Sequence, residues 1–190
     1  MNRISTSGVA RFMASFQDIG SGFRRSFATR RAFVKAGKGW FRARRWAKFN
    51  ILGGKVSEFT CTVKVRYAET DQMKVLHHSL WPVYWEVARG AFMESLGFPY
   101  GELEKNQGIY FPVISVGAEI QSPAYYDDEI ELRCQVAELG RVKLRFHYEG
   151  WRGDTLLARG HSQHGVIDLN WKVVKLPEEV REALKTVKEN

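Results

Sequence analysis

The sequence predicts an α+β fold, a curved antiparallel sheet of five or six strands wrapped around one long buried helix. Three observations predict it. Phe59, Cys61, Val63, Val65 and Tyr67 alternate with polar residues, the period of a half-buried strand. Residues 79–96 follow as a helical stretch whose Leu80, Trp81, Val83, Tyr84, Trp85, Val87, Ala88, Phe92 and Met93 leave little polar face. Beyond it come further alternating runs with short turn-rich links, which make sequence neighbours antiparallel. Wrapping such a sheet around the helix is the simplest way to bury it.

Each element has its own signal. Ser79 is the expected N-cap of the helix, Pro82 falls in its first turn and Gly97 ends it. A short helical turn is expected near 100–106. Strands are expected over 110–121, 130–136, 142–148 and 155–168, broken by Ser122-Pro123, Tyr126-Asp127-Asp128, Gly140 and a Gly150–Asp154 turn. Trp171–Lys175 is a candidate fifth strand of this group, and Pro177-Glu-Glu opens a short C-terminal helix. The open edges of such a sheet predict a homodimer or homotetramer.

Charge divides the chain. The 190 residues carry a net charge of +8, yet residues 1–50 hold twelve Lys/Arg and only Asp18 as an acid, while the remainder is mildly acidic. Residues 1–55 are therefore expected to be a basic N-terminal extension outside a domain spanning 56–190, with Gly53-Gly54 at the boundary. Three readings of the extension compete. It is a solvated tail, an organellar presequence with a mitochondrial-type cleavage site at Arg25-Ser-Phe-Ala-Thr29, or a basic arm that touches polyanions or a membrane surface through Trp40–Trp46. A cytoplasmic protein is expected, or one of the mitochondrial matrix or another organelle if residues 1–30 are a presequence. Cys61 and Cys134 share the apolar phase of their strands and are expected as buried free thiols.

The chemistry concentrates where the first strand meets the helix. Tyr67-Ala-Glu-Thr-Asp71-Gln-Met-Lys-Val-Leu-His77-His78-Ser79 brings a carboxylate, imidazoles and the free N–H groups of a helix start to one junction. Those groups suffice to hydrolyse an ester or thioester without a serine triad, and the chain has no G-x-S-x-G elbow. Asp71 is the candidate base or nucleophile, His78 orients water or donates to the carbonyl, and Tyr67 positions Asp71. The competing reading of Asp71 is a turn residue that caps its own backbone. The adjacent His77 and His78 diverge, and His161 and His164 fall on opposite strand faces, so neither a metal nor a cofactor is expected.

Arg66-Tyr67-Ala-Glu-Thr-Asp71 through His78, followed by Trp85-Glu-Val-Ala-Arg89, resembles the hotdog-fold acyl-CoA thioesterases of the 4-hydroxybenzoyl-CoA thioesterase group, in particular the YbgC-like branch. Phe111-Pro-Val, Ser122–Asp128, Gly153-Asp154 and Leu157-Ala-Arg-Gly160 support the resemblance, which covers roughly residues 57–180. It implies a hotdog fold, an acyl-CoA substrate, and Asp71, His78 and Tyr67 as the catalytic group. The chain departs from the family pattern at Lys74, where glycine is usual, at His77, where tyrosine is common, and at Ser79-Leu-Trp81. CoA phosphates would draw on Arg133, Arg141, Lys143, Arg145 or Arg159. Two other functions fit the same residues: an enoyl-CoA hydratase of the same fold, and a non-catalytic acyl-CoA-binding module.

Overall fold

The computed structural model describes residues 33–36, 39–42, 47–52 and 55–188, with side-chain surroundings from Phe59 onward. The expected cleavage site at 25–29 lies outside them. Strands β1 (Phe33–Ala36) and β2 (Gly39–Arg42) pair as a separate antiparallel hairpin. The remaining strands are β3 (Ala47–Leu52), β4 (Lys55–Lys64), β5 (Val113–Ile120), β6 (Glu129–Leu139), β7 (Lys143–Arg152) and β8 (Thr155–Gly165). They form one six-stranded sheet in the order β3-β4-β6-β7-β8-β5, antiparallel at every pairing. Helix α1 (Trp81–Ser95) packs in the sheet's concave face, and α2 (Glu178–Lys188) covers β4 and β6 with Val180 and Leu184 fully buried.

The sheet has six strands, but its sixth is not the one expected from the C-terminal region. Trp171–Lys175 forms no sheet strand. Asp168 accepts N–H groups from Asn170 and Lys172, and the chain doubles back so that Ile167 bridges Val173. The sixth strand is β3. It lies before the boundary expected at residue 55/56 and pairs with β4 from Ala47↔Cys61 to Leu52↔Lys55. Ala47, Phe49 and Ile51 do alternate with Lys48 and Asn50, but the run is short and follows directly on the basic stretch 42–46 that masks it.

Two glycines let the helix seat. Gly150 was expected in a turn, but β7 runs through it and the β7–β8 turn shrinks to Gly153-Asp154. A Cβ at Gly150 would lie 2.6 Å from the Trp81 ring, and one at Gly160 of β8 would overlap the Trp85 indole nitrogen. Both tryptophans are essentially fully buried. Trp81 stacks on Trp85 with ring centroids 5.2 Å apart, and Trp85 on Tyr148 at 5.2 Å and 9°. The aromatic column and the missing side chains explain each other, because close approach of ring to backbone recovers dispersion contacts that a void would lose.

Beneath α1 runs a buried polar chain. His164 Nδ1 faces the Phe111 carbonyl at 3.2 Å, which only accepts, so Nδ1 carries the proton. His164 Nε2 then accepts from Ser162 Oγ at 2.8 Å, and Ser162 accepts from the Tyr148 hydroxyl at 2.6 Å. Burial first, and the Arg89 charge second, push His164 down to about 4 against a partial offset from the Phe111 carbonyl. The thiols behave as expected. Cys61 and Cys134 are buried and free, and burial raises Cys61 to about 11.

Two outcomes are expected. Removing residues 1–46 should leave the melting temperature of the domain unchanged, whereas removing 1–54 strips β3, exposes β4 as an edge and should lower it, with aggregation at high concentration. Equal melting curves for the two truncations would show that β3 adds nothing. Acid should also destabilise the fold through His164. Its folded pKa lies below the unfolded value of 6.5, so only the unfolded chain gains a proton between those values and stability falls as pH drops from about 7 to 4. His164→Gln should flatten that slope in pH-resolved thermal melts.

Candidate active site

The chain between β4 and α1 forms a small closed loop. Thr70 bridges Leu76, and Asp71 N–H donates to the Val75 carbonyl at 2.9 Å. Lys74 closes the loop with φ +63°, a left-handed backbone that glycine adopts more readily. Asp71 Oδ1 accepts the N–H groups of Met73 at 2.8 Å and Val75 at 3.5 Å. Asp71 is therefore a turn-capping residue, as the competing reading had it, but with one oxygen only. No hydrogen bond holds Oδ2 among the described residues.

The helix entry also differs from expectation. Ser79 is not the N-cap. A 3₁₀ turn (His78–Leu80) precedes α1, and His77 caps it, its Nδ1 facing Ser79 Oγ at 2.8 Å and the Ser79 N–H at 3.4 Å. The N–H of His78 opens that turn and has no partner within it. The His77 and His78 rings lie 4.2 Å apart.

Asp71 and His78 line one cleft of about 320 Å³, floored by Trp81 and Leu76 and walled by Ile120–Ala124 at the end of β5. The structure does not bring Tyr67 to this group. Tyr67 is 78% exposed and meets the edge of Tyr126 at 5.7 Å, and it makes no hydrogen bond to Asp71. A larger cleft, about 460 Å³, lies between Tyr110–Pro112 and Ile167–Trp171. It holds no imidazole, and one of its two carboxylates, Asp168, is taken up by its own turn.

Sequence reasoning missed Glu69, read only as part of an acidic turn. Its residue is 4% exposed. Oε2 accepts from the Arg66 N–H at 2.8 Å and from the Tyr84 hydroxyl of α1 at 2.9 Å, and Oε1 takes the Arg66 guanidinium. Burial acts to raise the Glu69 pKa, but the bonds from Arg66 and Tyr84 outweigh it and hold the carboxyl below its ordinary value. Burial and the Glu69 charge together raise the Tyr84 phenol. The signal available in the sequence was the spacing of Glu69 to Tyr84, which only the loop's path makes meaningful. Of the basic residues considered for CoA, Arg133, Arg145 and Arg159 pair with Glu131, Glu138 and Glu149.

An antiparallel sheet wrapped on a central helix, with a carboxylate and an imidazole at the helix entry, defines a hotdog-type hydrolase. Residues 73–158 match the Thioesterase superfamily. A provisionally named esterase of Aquifex aeolicus is 34% identical over 122 residues, 64% of this chain and 94% of the relative. YneP of Bacillus subtilis, provisionally named an acyl-CoA thioesterase, is 30% identical over 56% of this chain and 77% of its own length. Among solved structures, the hypothetical protein TT1821 of Thermus thermophilus is 39% identical with a TM-score of 0.64, covering 67% of this chain and 98% of that one. The chain belongs to the Thioesterase superfamily.

Proposed function

We propose that the protein hydrolyses acyl-CoA thioesters to a free acid and CoA, with the Asp71 carboxylate and the His78 turn as its working parts. The observation that carries this is the shared cleft of Asp71 and His78, in which one carboxylate oxygen is fixed by the loop and the other is left uncommitted. A thioester needs a nucleophile at its carbonyl carbon, a stabilised oxyanion and a departing thiolate. Asp71 Oδ2 either takes a proton from water as the water adds, or adds itself and forms an anhydride that water then opens. In both courses the carbonyl oxygen gains the negative charge, and we assign its stabilisation to the His78 N–H, which has no partner within the 3₁₀ turn. Collapse of the adduct breaks the C–S bond and expels CoA thiolate. Tyr67 stands outside this scheme. A single turnover in ¹⁸O water that leaves label in Asp71 establishes the anhydride opened at the Asp71 carbonyl carbon, because general-base attack puts the label only in the product acid.

Assembly as a homodimer or larger oligomer belongs to the same reading. β5 is an edge of the sheet, and its Val113, Ile114, Val116 and Ile120 are about half exposed. The helix was expected to be buried on most sides, yet Val83 and Val87 of α1 are also 45% and 46% exposed. An uncovered apolar edge and helix face on one molecule are a liability that pairing with a second copy removes. Since Ile120 also walls the cleft, assembly and activity are coupled. Light scattering should report a dimer or tetramer at micromolar concentration. Val116→Lys should shift it toward monomer and lower activity, and an active monomeric wild type would contradict the arrangement.

The decisive test is a free-thiol assay over a panel of acyl-CoAs with Asp71→Asn. The substitution keeps the Asx turn and removes the charge. kcat should fall by about 10²–10⁴ with KM little changed and the melting temperature held. Near-normal turnover would leave the acyl-binding module as the better account. Loss of an enoyl-CoA double bond without thiol release would favour the hydratase.

A further inference from the structure

We propose that Glu69 is the positioning residue of this site: its carboxylate, gripped by Arg66 and Tyr84, and its carbonyl, gripped by His77, fix the spacing between Asp71 and the His78 turn. The proposal rests on the thioesterase reading for its kinetic consequences and on geometry alone for its structural ones.

A buried carboxylate is a costly residue to place in a loop. One of its bonds, from the Arg66 N–H, caps the short 3₁₀ turn over Tyr67–Glu69, but that cap needs neither burial nor the hydroxyl of Tyr84 fifteen residues away. Glu69 sits at the neck, immediately before the Thr70↔Leu76 bridge that closes the loop. Three attachments converge there. The Arg66 N–H and guanidinium tie the carboxylate to the end of the incoming strand. The Tyr84 hydroxyl, on a residue 3% exposed, ties it to α1 one turn beyond the cleft floor Trp81. The Glu69 carbonyl accepts the His77 N–H at 2.9 Å, which fixes the residue before His78. Asp71 is two residues along in one direction, and His78 hangs from the other side of the neck. Movement of either catalytic group relative to the helix must therefore break a bond to Glu69. Because the carboxylate makes charge-assisted bonds, the clamp is stiffer than neutral partners would make it.

Such a residue touches no substrate and acts through Asp71, and this is what separates it from a merely stabilising one. The test measures kcat and KM for wild type, Glu69→Gln and the near-isosteric Tyr84→Phe, each also in an Asp71→Asn background, with melting temperatures alongside. Glu69→Gln should lower kcat by about 10–100-fold with KM within about twofold, the scale of a small misplacement of a catalytic group. In the Asp71→Asn background the same substitution should cost under about twofold, because no carboxylate remains to be positioned. Tyr84→Phe should show a smaller loss with the same non-additivity, and it decides the matter if Glu69→Gln fails to fold. Unchanged kcat in Tyr84→Phe, or an equal fold-loss in both backgrounds, overturns the proposal. A wild type that releases no thiol would sink the thioesterase reading, and amide exchange would still test the clamp. Tyr84→Phe should speed exchange at His77 and at Met73, whose N–H is held by Asp71, and unaltered exchange at both would refute it.

Discussion

The seating of two indoles on two glycine backbones is the constraint on which the rest of this structure depends. Trp81 and Trp85 are one helical turn apart, and Gly150 and Gly160 lie opposite them on adjacent strands. The helix can approach β7 and β8 closely only because no Cβ stands in the way, and the indoles then fill the interval that the curved sheet leaves open. That contact sets the depth of α1 and the rotation about its axis. Because Trp81 is the first residue of α1, it also sets where the preceding 3₁₀ turn and loop must run. The cleft floor and the helix entry are consequences of one packing decision made in the core.

The loop that carries Asp71 is held in a different way. Leu76 is its one apolar residue buried in the core, and hydrogen bonds supply the rest of its attachment. Asp71 spends one carboxylate oxygen on the loop's N–H groups, and the Thr70↔Leu76 bridge and the Glu69 carbonyl tie its two ends together. The two readings of Asp71, turn residue and catalytic residue, are compatible for this reason. A carboxylate has more acceptor capacity than a turn requires. Using one oxygen to hold the geometry orients the other without a further residue, and this is how a short loop can do without the tyrosine that was expected to position Asp71.

How much of this could be read in the sequence depended on which interactions leave a periodic trace. Strand alternation in β4, β6, β7 and β8 and the apolar run of α1 come from burial on a regular face, and burial writes itself into spacing. The Asp71–His78 neighbourhood was legible because the motif is continuous in the chain. Three kinds of feature were not. β3 alternates only over Ala47, Phe49 and Ile51, a period too short to stand out beside the basic run that precedes it. Gly150 reads as a turn residue because glycine's two uses, bending the chain and admitting a neighbour, look alike without the neighbour. The Ser79 cap and the burial of Glu69 both depended on the loop's three-dimensional path. His77 reaches the helix entry before Ser79 can cap it, and Glu69 is buried only because Tyr84 stands above it.

The exposed hydrophobic surface ties the site to a scale larger than one chain. Val116, Ala118 and Ile120 of β5 alternate in phase with Ser162, Gly160 and Ala158 of β8, their register partners on the concave side. They therefore belong to the face that packs on the helix, yet Val116 and Ile120 stay about half exposed, as do Val83 and Val87 of α1. Here the pattern of an inner face continues past the edge of the core it would serve. A sequence with no use for that continuation would be expected to place charge on an edge strand. β5 carries a single charged residue, Glu119, and its register partner Arg159 shares its face of the sheet. The strand is built as an interior strand that ends up at an edge. Its last residue, Ile120, also walls the cleft, so the packing of that edge and the shape of the cleft depend on the same side chain.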